Sequence, residues 1–299
     1  MALSKYAIFH IEGGIGKHIA STAVIECYKH QNPDRDIIVS CAWPEVYLHN
    51  PYIHRVYKIG NTPYFYEDYI HDKDVILFAQ EPYKTTSHIT GKTHLIKSWC
   101  DMIGIEYNKE QPKIFSNFRE REIASEIIKN TTTKRVLIFQ PFGGPGKEHQ
   151  PVSYSWTRDI HPYIAQQLVD ILNDDYFVVH VCYDYHPRLD NCLRIDQFLQ
   201  KKVLFNLLYS SQKRLLIDSS LQHAAAALNL PSTVVWNVTN PEMFGYDLHT
   251  NIKPVTEFPK GTIDSYLYNY NFTGAIHECP YDNPYSIFDI EKILNSLKI

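Results

Sequence analysis

The chain has 299 residues, of which 44% are hydrophobic and 21% are charged, and its formal net charge is −4. This length fits one large domain or two ordinary ones, and the composition excludes a disordered chain. The balance of 29 Lys and Arg against 33 Asp and Glu gives no strong basic field that would attract nucleic acids. The six cysteines form no CxxC pair, and no leader or long apolar run is evident. We therefore expect a reduced, cytoplasmic protein without a zinc site or a transmembrane segment.

The first half of the chain alternates predicted strands with predicted helices, which indicates an α/β domain with a parallel sheet. It begins with a run of apolar residues typical of a buried strand, followed by a helix that ends at Asn32-Pro33. The predicted elements are strands at 6–11, 37–41, 55–59 and 75–78 and helices at 18–32, 44–51 and 94–103.

A glycine-rich turn joins the first predicted strand to the first predicted helix. Gly13, Gly14 and Gly16 lie in this turn, between Glu12 and Lys17. Their spacing matches neither the GxGxxG dinucleotide fingerprint nor the GxxxxGK[ST] phosphate loop. The turn is either a plain strand-to-helix connection or part of a ligand site, and spacing alone leaves both interpretations open.

The triplet Asp72-Lys73-Asp74 has the DxD pattern that holds a divalent ion in metal-dependent glycosyltransferases. Here the triplet precedes a predicted strand, whereas ligands of parallel sheets bind beyond the carboxyl ends of strands. We therefore expect a solvated turn and no metal site.

Composition changes between residues 107 and 134, where polar residues surround one charged helix near 120–128. The alternation of strands and helices restarts beyond this segment. We predict an N-terminal Rossmann-like domain at 1–116 and a linker at 117–134. A C-terminal Rossmann-like domain follows at 135–284, and a closing helix at 285–299 carries Ser286 and Asp289 as a capping box.

The second half repeats the pattern of the first half. Its first predicted strand ends at Gln140 and leads into a second glycine-rich loop at 143–147. The predicted strands lie at 135–139, 177–181, 214–217 and 233–236, and the predicted helices lie at about 159–173, 204–209 and 220–228.

Asp218, Ser219 and Ser220 stand between a predicted strand and an alanine-rich helix. Either serine can cap this helix, and the free N–H groups of its first turn suit an anionic oxygen such as that of a phosphate. A plain helix cap explains the same residues, so the pattern alone supports both interpretations.

Two longer segments resemble a known family. Residues 218–231, DSSLQHAAAALNLP, are similar to the Asp-[Ser/Thr]-Gly-x-x-His-x-Ala-x-Ala-Leu-x-x-Pro signature of glycosyltransferase family 9, the heptosyltransferases of lipopolysaccharide synthesis. Residues 237–245 are similar to the loop that follows that signature, and residues 16–33 match the family's first loop and helix. The resemblance implies the α/β fold GT-B, with two Rossmann-like domains facing across a cleft and a C-terminal helix packing back.

Three positions depart from that family. Lys17 stands where the family has the Asp that serves as its presumed catalytic base, and Tyr154 stands where a Lys grips the donor phosphates. Ser220 replaces the glycine of the signature. These departures affect the chemistry and leave the implied fold unchanged.

The resemblance implies a site for a nucleotide-diphosphate sugar donor in the second half. Backbone N–H groups of the first helical turn would hold the diphosphate, and Arg158 would replace the missing Lys unless it is merely an exposed residue at a helix start. His223 would touch the donor or pack into its helix. The predicted donor-binding residues are Gly13, Gly14, Gly16, Gln140, Tyr154, Arg158, Asp218, Ser219, Ser220, Leu221, Gln222 and His223.

The predicted catalytic residues are Glu12, Lys17 and His18. A Lys ammonium accepts no proton at neutral pH unless burial strongly lowers its pKa, so we expect Lys17 to bind phosphate. Glu12 is the favoured base because it follows the carboxyl end of the first strand. His18 is either an alternative base or a residue at the helix start that points to solvent.

We therefore expect a metal-independent, inverting glycosyltransferase without a cofactor, whose donor is an ADP- or UDP-linked sugar. Its acceptor would be a glycan of the lipopolysaccharide type or a modified nucleobase. A nucleotide-sugar-binding protein that kept the fold without catalysis is the alternative. The lack of GxGxxG argues against an oxidoreductase, and nothing in the sequence indicates an oligomeric state.

Overall fold

The structure is a computed structural model that describes residues 3–143, 154–196, 200–255 and 281–298. Residues 144–147 of the second predicted glycine-rich loop lie outside these ranges. Contacts divide the chain into two compact units, Met1–Asn117 and Phe118–Ile299, here called the N-terminal unit and the C-terminal unit.

The N-terminal unit contains a four-stranded parallel sheet in the order β3-β2-β1-β4. Its strands are β1 (Lys5–Ile11), β2 (Asp36–Cys41), β3 (Arg55–Lys58) and β4 (Asp74–Phe78). Its helices are α1 (Ile15–Gln31), α2 (Phe65–Tyr69), α3 (Thr86–Ile89) and α4 (Leu95–Met102). The four predicted strands are confirmed. The predicted helix at 44–51 is only a 3₁₀ turn, Pro44–Val46, and His49 beyond it has a left-handed backbone with φ 67°.

The central strands are apolar on both faces because a parallel sheet is covered by other elements on both sides. In β1, Ala7, Ile8, Phe9 and Ile11 are all buried. Helix α1 begins at Ile15, three residues before the predicted start, so Gly16 and Lys17 are helical. Its C-cap is Asn32, whose N–H donates to the Tyr28 carbonyl oxygen.

The C-terminal unit contains a six-stranded parallel sheet in the order β10-β9-β8-β5-β6-β7. Its strands are β5 (Val136–Phe139), β6 (Phe177–Cys182), β7 (Leu193–Asp196), β8 (Lys213–Ile217), β9 (Thr233–Val235) and β10 (Thr250–Ile252). Its helices are α5 (Phe118–Lys129), α6 (Pro162–Leu172), α7 (Lys201–Leu207), α8 (Ser220–Ala227), α9 (Pro241–Phe244) and α10 (Ile290–Leu297). Strands β7 and β10 and helix α9 were not predicted from the sequence.

Helix α5 lies inside the predicted linker and packs within the C-terminal unit. Its buried residues Ala124 and Ile128 lie on a helix that contacts α7. The charged exterior of this helix makes its sequence resemble a linker, while its few apolar residues fix it to the unit.

The closing helix α10 packs into the core of the C-terminal unit through Ile293 and Leu297. Its predicted capping box is wrong. Asp289 is itself the N-cap, and its carboxylate accepts the Lys292 N–H at 3.0 Å, whereas Ser286 donates to the Asn283 carbonyl oxygen.

The chain order reverses once in each sheet. In the N-terminal unit the reversal lies between β1 and β4, and in the C-terminal unit it lies between β5 and β8. Loops diverge at such a reversal and leave a crevice beyond the carboxyl ends of the two strands, where ligands of open α/β sheets bind.

A buried arginine connects three chain segments at the amino end of the C-terminal sheet through hydrogen bonds. The Arg214 guanidinium is 6% exposed and donates to the carbonyl oxygens of Pro231, Leu208 and Ser211 at 2.8–3.2 Å. Burial lowers the pKa of Arg214 to about 10. The charge is accommodated because carbonyl dipoles replace the lost hydration.

We expect Arg214→Met to lower the free energy of unfolding of the C-terminal unit by about 3 kcal/mol, because the carbonyl oxygens of Leu208, Ser211 and Pro231 lose the donors of the guanidinium. Urea unfolding followed by circular dichroism measures this change. Arg188→Met, at an exposed arginine of the same unit, is the matched control. Equal unfolding midpoints for the two variants would contradict the expectation.

Candidate functional site

The reversal in the C-terminal sheet brings Gln140 and Ser219 together. Gln140 follows β5, Ser219 follows β8, and the two strands pair with Phe139 opposite Leu215. The Gln140 amide nitrogen lies 3.3 Å from the Ser219 hydroxyl oxygen, to which it donates. Gln140 is fully buried, and its Oε1 atom has no hydrogen-bond partner among the described residues. An unsatisfied buried acceptor at this position is a feature of a binding site.

Ser219 is the N-cap residue of α8, but its hydroxyl does not cap the helix. The expectation that a serine side chain caps this helix is therefore wrong for Ser219. Its backbone is extended, with φ −155° and ψ 177°, and its hydroxyl faces Gln140. The first-turn N–H groups of α8 consequently receive no acceptor from the cap side chain, as an anion site requires.

A glycine lets the loop after β5 approach this turn closely. A Cβ atom on Gly143 would lie 3.1 Å from Ile217 Cδ1 and 3.3 Å from the Ser219 side chain. Only a residue without a side chain fits there without displacing its neighbours. Gly143 is not among the residues predicted from the sequence.

Asp159 and Arg158 fix the same loop. The Asp159 carboxylate accepts the N–H groups of Gly143 at 3.0 Å and Ser155 at 2.8 Å. Arg158 is partly buried and donates to the Gly143 carbonyl oxygen at 3.2 Å, and its Nε atom has no partner among the described residues. The interpretation of Arg158 as an exposed residue at a helix start is wrong, because α6 begins only at Pro162.

Asp218 directly follows β8. Burial raises the pKa of Asp218, while the neighbouring Thr239 hydroxyl and Arg158 guanidinium act in the opposite direction. A carboxylate and a guanidinium therefore lie near each other after this strand.

The remaining predicted residues of α8 are used for packing. Leu221 is fully buried, and the Gln222 amide donates to the Phe244 carbonyl oxygen at 3.0 Å. His223 Nδ1 lies 2.7 Å from the Tyr246 hydroxyl. These contacts give both side chains a structural role and place the loop around α9 against the start of α8.

Tyr154 also packs within the C-terminal unit. Its ring lies 5.2 Å from the His161 ring, centroid to centroid, and contacts the apolar core. Its predicted contact with a donor stays a prediction.

The reversal in the N-terminal sheet forms a polar pocket of about 220 Å³. Residues from the ends of β1 and β4 and from the start of α1 line it, among them His10, Glu12, Lys17, Gln80, Glu81 and Lys84. Sequence reasoning missed Glu81, Gln80 and Lys84, which follow β4, and also His10.

Lys17 is buried and paired with a carboxylate. Its side chain is 7% exposed, and its Nζ atom lies 2.6 Å from Glu81 Oε2. The Trp99 and Tyr83 rings lie 5.6 and 6.0 Å from Nζ, measured to their centroids. Lys17, which the sequence predicts to bind phosphate, therefore has a carboxylate and two aromatic rings of its own unit around its ammonium.

His18 is fully buried, so the expectation that it points to solvent is wrong. Its Nδ1 atom lies 2.9 Å from the Gly14 carbonyl oxygen, and the Ala42 N–H donates to Nε2 at 3.3 Å. Burial lowers the pKa of His18. Its ring nitrogens contact the carbonyl oxygens of Gly14 and Ile11 and hold the ring against the turn after β1, and its predicted role as an alternative base stays a prediction.

Glu12 and the glycine-rich turn line the same end of the sheet. Glu12 is 72% exposed, and its carboxylate lies 3.2 Å from His10 Nε2. Gly13 has φ 94°, which requires glycine, whereas Gly14 is the uncapped N-cap of α1 and Gly16 lies in its first turn. Their predicted contact with a donor stays a prediction.

No protein-family model matches the sequence, and no curated protein matches it either. Solved structures do match. A family 9 glycosyltransferase from Veillonella parvula is similar with a TM-score of 0.69 at 14% identity, over 99% of this chain and 97% of that chain. The ADP-heptose lipopolysaccharide heptosyltransferase II of E. coli gives 0.61 at 13% identity, over 84% and 91%. The iron-containing dodecameric glycosyltransferase TibC of enterotoxigenic E. coli gives 0.69 at 12% identity, over 99% and 77%.

The fold is GT-B. The predicted fold class is confirmed, and so is the resemblance to family 9 at the level of the fold. At identities of 12–14%, the comparison shows that the folds are similar and does not show a shared activity.

The described ranges contain neither a candidate metal centre nor a candidate membrane span. No group of three or more His, Cys, Asp or Glu side chains in them is arranged to hold a metal ion, and none of their helices is long and apolar enough to cross a bilayer. In the DxD triplet, Asp74 makes two contacts of 2.9 Å with Arg35, while Asp72 lies in an exposed turn.

The buried Asp159 makes the stability of the C-terminal unit depend on pH. Burial raises the pKa of Asp159 to about 6, against about 3.9 in an unfolded chain. The folded state therefore binds the proton of the Asp159 carboxyl more tightly than the unfolded chain does. The contribution of this protonation to the free energy of unfolding is fully present below about pH 3.9 and is lost as the pH rises through about 6.

We expect the free energy of unfolding of wild type, relative to Asp159→Asn, to fall by about 3 kcal/mol between pH 4 and pH 7, because the variant cannot titrate. Urea unfolding at several pH values measures the difference. Asp175→Asn, at an exposed aspartate after α6, is the control. A difference between wild type and Asp159→Asn that stays constant with pH would contradict the role of Asp159.

Proposed function

We propose that this protein is a glycosyltransferase that moves a sugar from a nucleotide-diphosphate sugar to an acceptor hydroxyl, without a metal ion and with inversion. One observation carries the proposal. At the reversal of the C-terminal sheet, the fully buried Gln140 leaves its Oε1 atom unsatisfied beside the uncapped start of α8.

The diphosphate is the leaving group of this reaction and gains negative charge as the glycosidic bond breaks. Backbone N–H groups at a helix start and a guanidinium stabilise such charge without a metal. The start of α8 would supply the first, and Arg158 would supply the second, since its Nε atom has no partner among the described residues. Gly143 permits a close approach of the backbone to this place.

The acceptor would occupy the pocket of the N-terminal unit. Its lining of carboxylates, an amide, an imidazole and two ammonium groups can form the many hydrogen bonds that a polyhydroxylated sugar requires. Glu12, the base favoured by the sequence, and Glu81 are the carboxylates of this lining that can take a hydroxyl proton.

The fold neighbours support an adenine nucleotide as the first donor to test. TibC has been seen with ADP-D-β-D-heptose, and the E. coli heptosyltransferase WaaC with ADP. The proposed donor is an ADP- or UDP-linked sugar, and ADP-heptose is the first to test. The proposed acceptors are a lipopolysaccharide-type glycan and a modified nucleobase.

Thermal-shift screening with ADP, UDP and their sugar conjugates, followed by mass spectrometry of glycan and nucleoside acceptors, tests the function. We expect stabilisation by one nucleotide class and a mass increase of one sugar on the acceptor. Tight nucleotide binding without transfer or donor hydrolysis would instead show a non-catalytic nucleotide-sugar-binding protein. No stabilisation by any nucleotide would remove the proposal.

We expect Arg158→Met to weaken binding of the preferred nucleoside diphosphate about 10-fold, equivalent to about 1.4 kcal/mol, because a charge-assisted hydrogen bond to phosphate is lost. Isothermal titration calorimetry measures the dissociation constant. Arg188→Met is the matched control and should bind as wild type does. Unchanged affinity in Arg158→Met would exclude this guanidinium from the diphosphate site.

A further inference from the structure

The ion pair between Lys17 and Glu81 joins the two elements that meet at the reversal of the N-terminal sheet. Lys17 lies in the first turn of α1, which follows β1, and Glu81 follows β4. Glu81 Oε2 accepts from Lys17 Nζ at 2.6 Å, and the same carboxylate accepts the Tyr83 N–H at 3.4 Å. The Glu81 side chain nevertheless stays 35% exposed and lines the pocket.

Lys17 has the properties of a counter-ion. Its side chain is 7% exposed, and its Nζ atom has a carboxylate on one side and aromatic ring faces on others. The carboxylate and the ring faces attract a cation. Burying this ammonium would be costly without Glu81.

The two carboxylates of the pocket differ in how firmly they are held. Glu12 is 72% exposed and has His10 as its side-chain contact. Glu81 is held by an ammonium and by a backbone N–H group while part of its surface faces the pocket. A general base acts best when its orientation is fixed before the substrate binds, because little reorganisation then accompanies proton transfer.

We propose that Glu81 is the catalytic base of this protein and that the buried Lys17 is a positioning residue that holds the Glu81 carboxylate toward the acceptor. This inference rests on the proposed glycosyl transfer. It assigns the role to a residue after β4 in place of Glu12 after β1.

The proposed step transfers one proton and one glycosyl group. The acceptor hydroxyl gives its proton to a Glu81 oxygen, and the acceptor oxygen uses its electron pair to form a bond to the anomeric carbon. The bond from that carbon to the diphosphate oxygen breaks, and its electron pair stays on the diphosphate. Glu81, now a neutral acid, later releases the proton to water.

The first experiment compares Glu81→Gln with Glu12→Gln, using the donor and acceptor that wild type accepts. We expect Glu81→Gln to lower kcat about 10²- to 10⁴-fold, the usual contribution of a general base, and Glu81→Asp to recover part of this loss. Glu67→Gln, at an exposed carboxylate on α2, is the control. Nucleotide affinity and melting temperature, measured on each variant, exclude loss of the fold or of the donor site.

The results decide whether Glu81 or Glu12 is the base. A large loss in Glu81→Gln together with a loss below 10-fold in Glu12→Gln supports the proposal. The opposite pattern assigns the base to Glu12 and overturns the proposal, as does full activity in both variants. Absence of transfer by wild type itself would count against the proposed function, so the two failures are distinguishable.

The second experiment tests the positioning role of Lys17 by measuring kcat and KM separately. Lys17→Met removes the cation in contact with Glu81, so the carboxylate loses the group that fixes its orientation. We expect kcat to fall about 10-fold while KM for the acceptor stays unchanged, because the lost interaction serves the transition state and not binding of the substrate.

Lys17→Arg should recover part of the loss in kcat because it preserves the charge beside Glu81. Lys92→Met, at an exposed lysine outside the pocket, is the matched control. If Lys17→Met keeps the kcat of wild type, or if Lys17→Arg recovers the melting temperature without recovering kcat, Lys17 does not position the base, and the assignment of the pair is overturned.

Discussion

Parallel pairing at the reversal of each sheet decides which polar residues meet. Because β5 pairs with β8 in a fixed register, the residues after each strand emerge side by side, and Gln140 contacts Ser219. The pairing of β1 with β4 does the same for the residues that line the N-terminal pocket. A shift of either register by one residue would turn these side chains to the opposite face of the sheet, so both sites depend on backbone hydrogen bonds between apolar strands.

The two sites hold charge by different physical means. In the C-terminal unit the start of α8 offers backbone donors, and Asp159 accepts the N–H groups of Gly143 and Ser155. Fixed dipoles of this kind suit an anion that carries its own charge. In the N-terminal unit the charge of the buried Lys17 ammonium is balanced by the Glu81 carboxylate, and aromatic rings attract the same cation. The pair therefore adds no net charge to the pocket. Such a pocket suits a neutral, hydroxyl-rich molecule.

The sequence predicts the strands of both sheets well where β-branched and Leu runs are long enough to be buried on both faces. It misses β7 and β10, which contain four and three residues and resemble loops in composition. It also predicts the start of α8 as a site, since an Asp-Ser-Ser turn after a strand is visible in one dimension. The sequence does not predict that the Ser219 side chain leaves α8 uncapped. The reason is a contact with Gln140, 79 residues away along the chain, whose amide donates to the Ser219 hydroxyl.

The sequence predicts Glu12 and Lys17 at the N-terminal pocket but not Glu81. Glu12 was identified because it follows the first strand, and the same rule applied to the fourth strand would have pointed to Glu81. What the sequence lacks is the neighbour relation of β4 to β1, on which the meeting of Glu81 with Lys17 depends. Once that relation is known, Lys17 is no longer an anomaly at a position where a carboxylate was expected. The carboxylate is present at the same crevice, supplied by the other strand, and the lysine is the charge that holds it there.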